Sequence, residues 1–288
     1  MALQSINIGS AANDGTGSTL RAAFDICNDN FSELYGGTTS ALGFKVEGTN
    51  FTGSLLIGHS TTGVISSAQY NTGIGIAALD ALTTGDQNVA VGYNVLTATN
   101  TGYGNTAIGA YAGDALTSGY RNVAIGNLAL SAEDTHGYNV AVGYNTLAAQ
   151  DAGADAYNVA VGASAGASVT TGTHNTIVGG LAGDALTTGG NNVAIGYAAL
   201  STEDANGYNV AIGNYALQDL NAGADSYHVA IGYNAGKDIT TGLRSILIGA
   251  AAGDALTSGS YNIAIGYSAL STEDTGNKNI AIGYDALR

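Results

Sequence analysis

One pentapeptide, returning at fixed spacing, governs what this chain can fold into. In "NVAIGYAALSTEDANGYNVAIG", residues 192–213, the string NVAIG occurs twice, 17 residues apart. Its closing Gly recurs at 58, 75, 92, 109, 126, 143, 162, 179, 196, 213, 232, 249, 266 and 283. Every interval is 17 residues except 143 to 162 and 213 to 232, which are 19. Fourteen copies therefore fill residues 53–288. A single short repeat cannot bury an apolar face alone, so such an array must stack copy on copy.

A longer period lies above the short one. AGDALTSG at 112–119 returns as AGDALTTG at 182–189 and AGDALTSG at 252–259, a step of 70 residues. LSAEDTHGYNVAVG at 130–143 has its counterpart at 200–213 and a looser one at 270–283. Four coil types thus rotate through the array.

Each copy reads as one short strand. Period-2 alternation sends Val193 and Ile195 to one face and Ala194 to the other. Stacked on its neighbours, the strand completes its hydrogen bonds and yields an all-β parallel solenoid or β-roll of 17–19-residue coils. Ala is expected on the outer face, forming a flat strip that lets another subunit approach. Four residues after the Gly, Leu130, Leu200 and Leu270 alternate with Gly113, Gly183 and Gly253. Where Gly stands, Leu116, Leu186 or Leu256 follows three places later. This reads as core filling by alternating knobs. Asn precedes most strands, as at Asn122, Asn139, Asn158, Asn175 and Asn192, and stacked Asn side chains can pass hydrogen bonds between coils. His228 and Ser245 interrupt that ladder in the sequence.

A 17-residue coil carries few large apolar side chains, and small cores are marginal. The expectation is a homotrimer with the outer strips facing a common axis. The N-terminal segment points the same way. Leu20, Phe24, Cys27, Phe31 and Leu34 are spaced 4, 3, 4 and 3 apart, the a/d seam of a short coiled-coil helix. Ser18 suits its N-cap and Gly36–Gly37 its stop. The division is then 1–37 as an attachment segment with a trimerising helix, 38–52 as a linker, and 53–288 as a solenoid shaft of 14 coils.

The stretch INIGSAANDGTGSTLRAAFDICNDNFSELY, residues 6–35, resembles the N-terminal segment of bacteriophage tail-fibre and baseplate-associated proteins. The resemblance rests on an NDGTG turn at Asn13–Gly17, then Leu20, Arg21, Ala23 and Phe24, then Asn28, Asn30, Phe31, Glu33, Leu34 and Tyr35. The repeats are similar to those of phage fibres and to the head of trimeric autotransporter adhesins. These resemblances imply a trimeric left-handed β-roll and a virion tail location, with the N-terminus on a baseplate or tail protein. They imply contact with a host-surface glycan or a distal fibre protein. The array also fits a bacterial or environmental surface adhesin filament, or less closely a polysaccharide depolymerase. An ice-binding face would need a Thr array on every coil, whereas TTG occurs on only some.

Composition narrows the partners. Seven Lys and Arg against 22 Asp and Glu give a formal charge of −15, which disfavours nucleic acid. No stretch reaches the ~20 apolar residues of a membrane span. The first residues lack the basic and apolar regions of a signal peptide, so synthesis in a host cytoplasm is expected. The last repeat runs to Arg288, so a distal protein is expected to cover that end.

Catalytic, cofactor and metal residues are each expected to be none. The pairs Glu133–Asp134, Glu203–Asp204 and Glu273–Asp274 recur every 70 residues, which reads as solvated turns holding like charges apart. The four His show no ligand spacing. The Asp-rich loops QDAGAD (150–155) and QDLNAGAD (218–225) are weak Ca²⁺ candidates without a recognised signature. Among the 17 Tyr, the pairs Tyr138–Tyr157 and Tyr208–Tyr227 in adjacent coils are candidate glycan contacts.

Overall fold

A computed structural model describes residues 44–48, 51–57, 67–203, 205–272 and 274–288. Within them the chain is an all-β parallel solenoid of about 13 turns. β1 (Phe44–Gly48) and β2 (Phe51–Ile57) form an antiparallel pair, and β2 then pairs in parallel with β3 (Thr72–Ile74). Thirteen three-residue strands, β3 to β15 (Ile280–Ile282), follow in one continuous sheet in chain order. Register is uniform: Val193, Ala194 and Ile195 sit opposite Val210, Ala211 and Ile212. The 19-residue coils keep it as well, with Val140 opposite Val159 and Val210 opposite Val229. The two extra residues are therefore absorbed in a turn. Residues 44–48, expected in a linker, belong instead to the sheet. The expected helix with Leu20, Phe24, Cys27, Phe31 and Leu34 lies outside the described residues.

The sheet faces the opposite way from the sequence expectation. The middle residue of each strand points inward: Ala124, Ala141, Ala194 and Ala211 are fully buried. The flanking Val and Ile point outward and are half-buried or exposed. Side-chain volume gives the reason. The interior of a 17-residue coil is narrow, and Leu knobs from the opposite wall already fill it. Leu130, Leu147, Leu200 and Leu217 are completely buried, and only a small residue fits across from them.

The exceptions support this account. The inward strand position holds a large residue at Ile177 and Leu247. In both places the two nearest Leu knobs are replaced by Gly. A Cβ at Gly166 would lie 2.9 Å from Ile177 Cδ1, and one at Gly253 would lie 2.8 Å from Leu247 Cδ2. The core thus keeps constant volume by trading side chains between walls, as close packing requires. The alternation of Leu with Gly is core filling, as expected: Leu116, Leu186 and Leu256 occupy the room left at Gly113, Gly183 and Gly253.

The knob position also carries a backbone demand. Leu130, Leu200 and Leu270 have φ of 51, 54 and 56°, and Gly113, Gly183 and Gly253 have 56, 51 and 57°. A left-handed conformation costs an L-residue ~1–2 kcal/mol. Coil-to-coil hydrogen bonds hold it: Leu200 N donates to Ala216 O at 3.0 Å. The strand-ending Gly is stricter. At Gly196, φ is 134°, and an added Cβ would lie 2.5 Å from the carbonyl of Gly213 in the next coil.

The Asn ladder closes one corner. Asn158 Oδ1 accepts the backbone N–H of Asn175 at 2.8 Å, and Asn175 Oδ1 accepts that of Asn192 at 2.9 Å. The side-chain amide of Asn175 donates to Gly189 O at 2.9 Å. These side chains are fully buried. His228 and Ser245 do not break the ladder, contrary to expectation. Ser245 N donates to His228 Nδ1 at 3.1 Å, and Asn262 N donates to Ser245 Oγ at 3.2 Å. His228 Nε2 lies 2.7 Å from Gly242 O, repeating the Asn pattern. Because Nδ1 accepts, Nε2 carries the proton and the ring is neutral. Burial pushes its pKa below the usual imidazole range.

Candidate functional site

Three surface features carry chemistry. The first is the outer face of the sheet. Each three-residue strand from β3 to β15 presents its first and third residues there, and all are Val or Ile except Thr72, Thr106 and Thr176. β-branched residues suit a pleated surface, and in a parallel sheet they stack in register. With strands ~4.8 Å apart and ~3.3 Å per residue, the face is a stripe ~60 Å long and ~10 Å wide, about 600 Å². Ile246 and Ile248 remain 40% and 36% exposed, though an isolated parallel sheet ordinarily has both faces covered. The small-residue Ala strip does not exist on this surface. The apolar stripe takes its place.

The second feature is a column of planar side chains beside the stripe. It occupies the residue five before each repeat Gly, whose backbone is left-handed: Arg121, Tyr138, Tyr157 and His174 in one run, Tyr208, Tyr227, Arg244 and Tyr261 in another. The structure brings the expected pairs together. Tyr138 and Tyr157 stack at 4.9 Å and 8°, and Tyr208 and Tyr227 at 5.0 Å and 13°. Arg121 lies over Tyr138 and Arg244 over Tyr227, while His174 stacks on Tyr157. Arg121 Nη1 also donates to Tyr138 Oη at 2.6 Å. Stacking occupies the facing ring surfaces, so Tyr138, Tyr157 and Tyr227 offer edges and hydroxyls rather than open faces. A second aromatic row follows the repeat Gly, with Tyr144, Tyr233 and Tyr267 more than half exposed.

The third feature overturns two sequence expectations. Glu133 and Glu203 are not in solvated turns; both are fully buried. They stand seven residues after the repeat Gly, where other coils place Leu82, Leu116, Leu186 or Leu220. Burial raises the pKa of Glu133, opposed by the His136 N–H donated to its Oε1 at 3.0 Å. Nor does the spacing keep all acids apart. Asp134 and Asp151 hold the same place in adjacent coils, 17 residues apart. Asp134, His136 and Asp151 gather around Glu133, with one potential ligand atom from each within 4.8 Å of the others. His136 therefore has ligand spacing that its position in the sequence did not suggest.

The Asp-rich loops do not act as units. Asp155 accepts a hydrogen bond from Tyr120 Oη at 2.7 Å and another from Gly137 N at 3.1 Å. That carboxylate pushes the Tyr120 pKa up to about 12. Asp225 accepts from Gly207 N at 3.0 Å in the other 19-residue coil. Both aspartates thus seat the enlarged turn against the preceding coil. No helix among the described residues is long and apolar enough to cross a membrane. Comparison with family models, with curated proteins and with solved structures gave no match.

Proposed function

We propose that the chain is the shaft of a bacteriophage tail fibre: a non-enzymatic, homotrimeric structural protein of the virion. It is made in the host cytoplasm. Its N-terminal segment attaches to a baseplate or tail protein, and its shaft meets a host-surface glycan or carries a distal fibre protein. Neither nucleic acid nor membrane insertion enters this role.

The observation that carries the reading is the continuous Val/Ile stripe. A soluble monomer rarely exposes an apolar patch beyond a few hundred Å². Three stripes of about 600 Å² meeting on one axis would bury on the order of 1,800 Å², within the range of stable interfaces. Such an assembly leaves the two Tyr rows at the edges of the buried stripe, with hydroxyls directed to solvent. The resemblance of residues 6–35 to fibre attachment segments supplies the virion context. Buried Glu133 and Glu203, placed in the wall of the coil, support a non-enzymatic role.

Electron microscopy of phage particles labelled with an antibody against residues 53–288 tests the reading. Label on tail fibres is the expected result. Label confined to the bacterial cell surface would transfer the chain to the surface-adhesin class. Turnover of host polysaccharide by the purified protein would overturn the non-enzymatic assignment.

A further inference from the structure

The Glu133 cluster holds more negative charge than its protein partners compensate. Glu133 is fully buried, and its Oε2 is among the buried polar atoms without a hydrogen-bond partner. Its Oε1 faces His136 Nδ1 at 3.4 Å. Asp134 and Asp151 stand beside it in adjacent coils, and neither pairs with Lys or Arg among the described residues. A single imidazolium would balance one of three carboxylates. A buried carboxylate with an idle oxygen is costly unless a cation or a proton meets it.

We propose that Glu133, Asp134, His136 and Asp151 form a binding site for a divalent first-row transition ion of the Zn²⁺ class. The donor set is one imidazole nitrogen and three carboxylate oxygens. Imidazole favours Zn²⁺ and its neighbours, whereas Ca²⁺ and Mg²⁺ take oxygen ligands. A tetrahedral shell with ~2.1 Å bonds spaces its donors ~3.4 Å apart. The present limit of 4.8 Å leaves side-chain rotations of about an ångström to close the shell. Asp134 is firmly seated, since its carbonyl accepts the N–H groups of Thr117, Ser118 and Gly119. The ion would clip the coil containing Glu133 to the next coil through Asp151, at the first 19-residue turn.

The chain contains its own control. Seventy residues on, Glu203 occupies the place of Glu133, but Asn206 replaces His136 and Asn221 replaces Asp151. There the Asn206 amide donates to Glu203 Oε1 at 2.9 Å, so a neutral group serves the carboxylate. The same scaffold thus exists once with a ligand set and once without.

The test uses the full chain, stripped with a chelator and titrated with Zn²⁺ by calorimetry and by competition with a chromogenic chelator. One Zn²⁺ per chain should bind, raising the melting temperature, and a tenfold excess of Ca²⁺ should not displace it. The double variant His136→Asn/Asp151→Asn copies the Glu203 coil and should fold normally, with Zn²⁺ affinity at least 50-fold lower. Glu133→Leu is a second check, because Leu217 and Leu220 already coexist in one coil. It should retain the β signal and lose the Zn²⁺-dependent melting shift. Absence of stoichiometric Zn²⁺ binding, or equal binding by wild type and the double variant, would overturn the proposal. Preferential binding of Ca²⁺ would overturn its metal class.

Discussion

Replacing Asn175 by Ala isolates the contribution of the corner ladder. The side chain is fully buried and makes two hydrogen bonds to other segments, accepting from Asn192 N and donating to Gly189 O, both at 2.9 Å. Its own N–H keeps its bond to Asn158 Oδ1. Ala therefore strands one donor and one acceptor where water does not reach. Each stranded group costs about 1–3 kcal/mol, so the substitution should destabilise by about 2–6 kcal/mol. Asn175→Ser leaves a hydroxyl acceptor for Asn192 N, as Ser245 does for Asn262 N, and should cost about half as much. Because each coil contacts mainly its neighbours, the loss should be felt first around Asn192. Urea unfolding followed by circular dichroism gives the total, and hydrogen exchange at the Asn192 amide gives the local value. If Ala costs under about 0.5 kcal/mol, buried hydrogen bonds do not hold this corner. If Ser costs as much as Ala, lost volume is the cause and the reasoning fails.

Further outcomes follow from the same geometry. Burial lowers the pKa of His228, so its neutral form adds stability that is complete above the unfolded value near 6.5 and lost as pH falls through the folded value; His228→Asn should flatten that part of the stability–pH curve measured by thermal melts. Gly196→Ala should destabilise by several kcal/mol, since it combines φ of 134° with a contact of 2.5 Å to Gly213, and loss of cooperative melting in the purified variant would register it. Deleting residues 127–196, four whole coils, should leave a shorter folded solenoid by circular dichroism, whereas deleting 127–135 should not. Ile195→Lys with Ile212→Lys, both outward-facing, should keep the β signal but reduce the sedimenting mass.

The repeat made the coil, the register and the knob alternation legible before any coordinates. Fourteen glycines in phase leave little choice, and Leu130 against Gly113 shows the core changing hands. Alternation alone does not say which strand face is inside, and the choice made from Ala194 was wrong. Ile177 and Leu247 held the missing signal: large residues at the Ala position, in coils whose knobs are Gly, show that this position competes with the knobs for one volume. The left-handed backbone at Leu200 was also readable in principle, because Gly and Leu share that column. Glu133 was missed because a charged pair looks solvated. Aligned by coil, it falls in the column of Leu116 and Leu186, which marks it as inward. His136 and Asp151 are separated by one coil length, so their meeting depends on stacking geometry rather than on any local motif.

The central claim is that the Val/Ile stripe is an interface between three copies of this chain. Sedimentation equilibrium of the purified full-length protein at micromolar concentration tests it most directly. The account predicts a single species of about three times 28.5 kDa that survives dilution. A folded, monodisperse monomer of 28.5 kDa, with the stripe open to solvent, would contradict it.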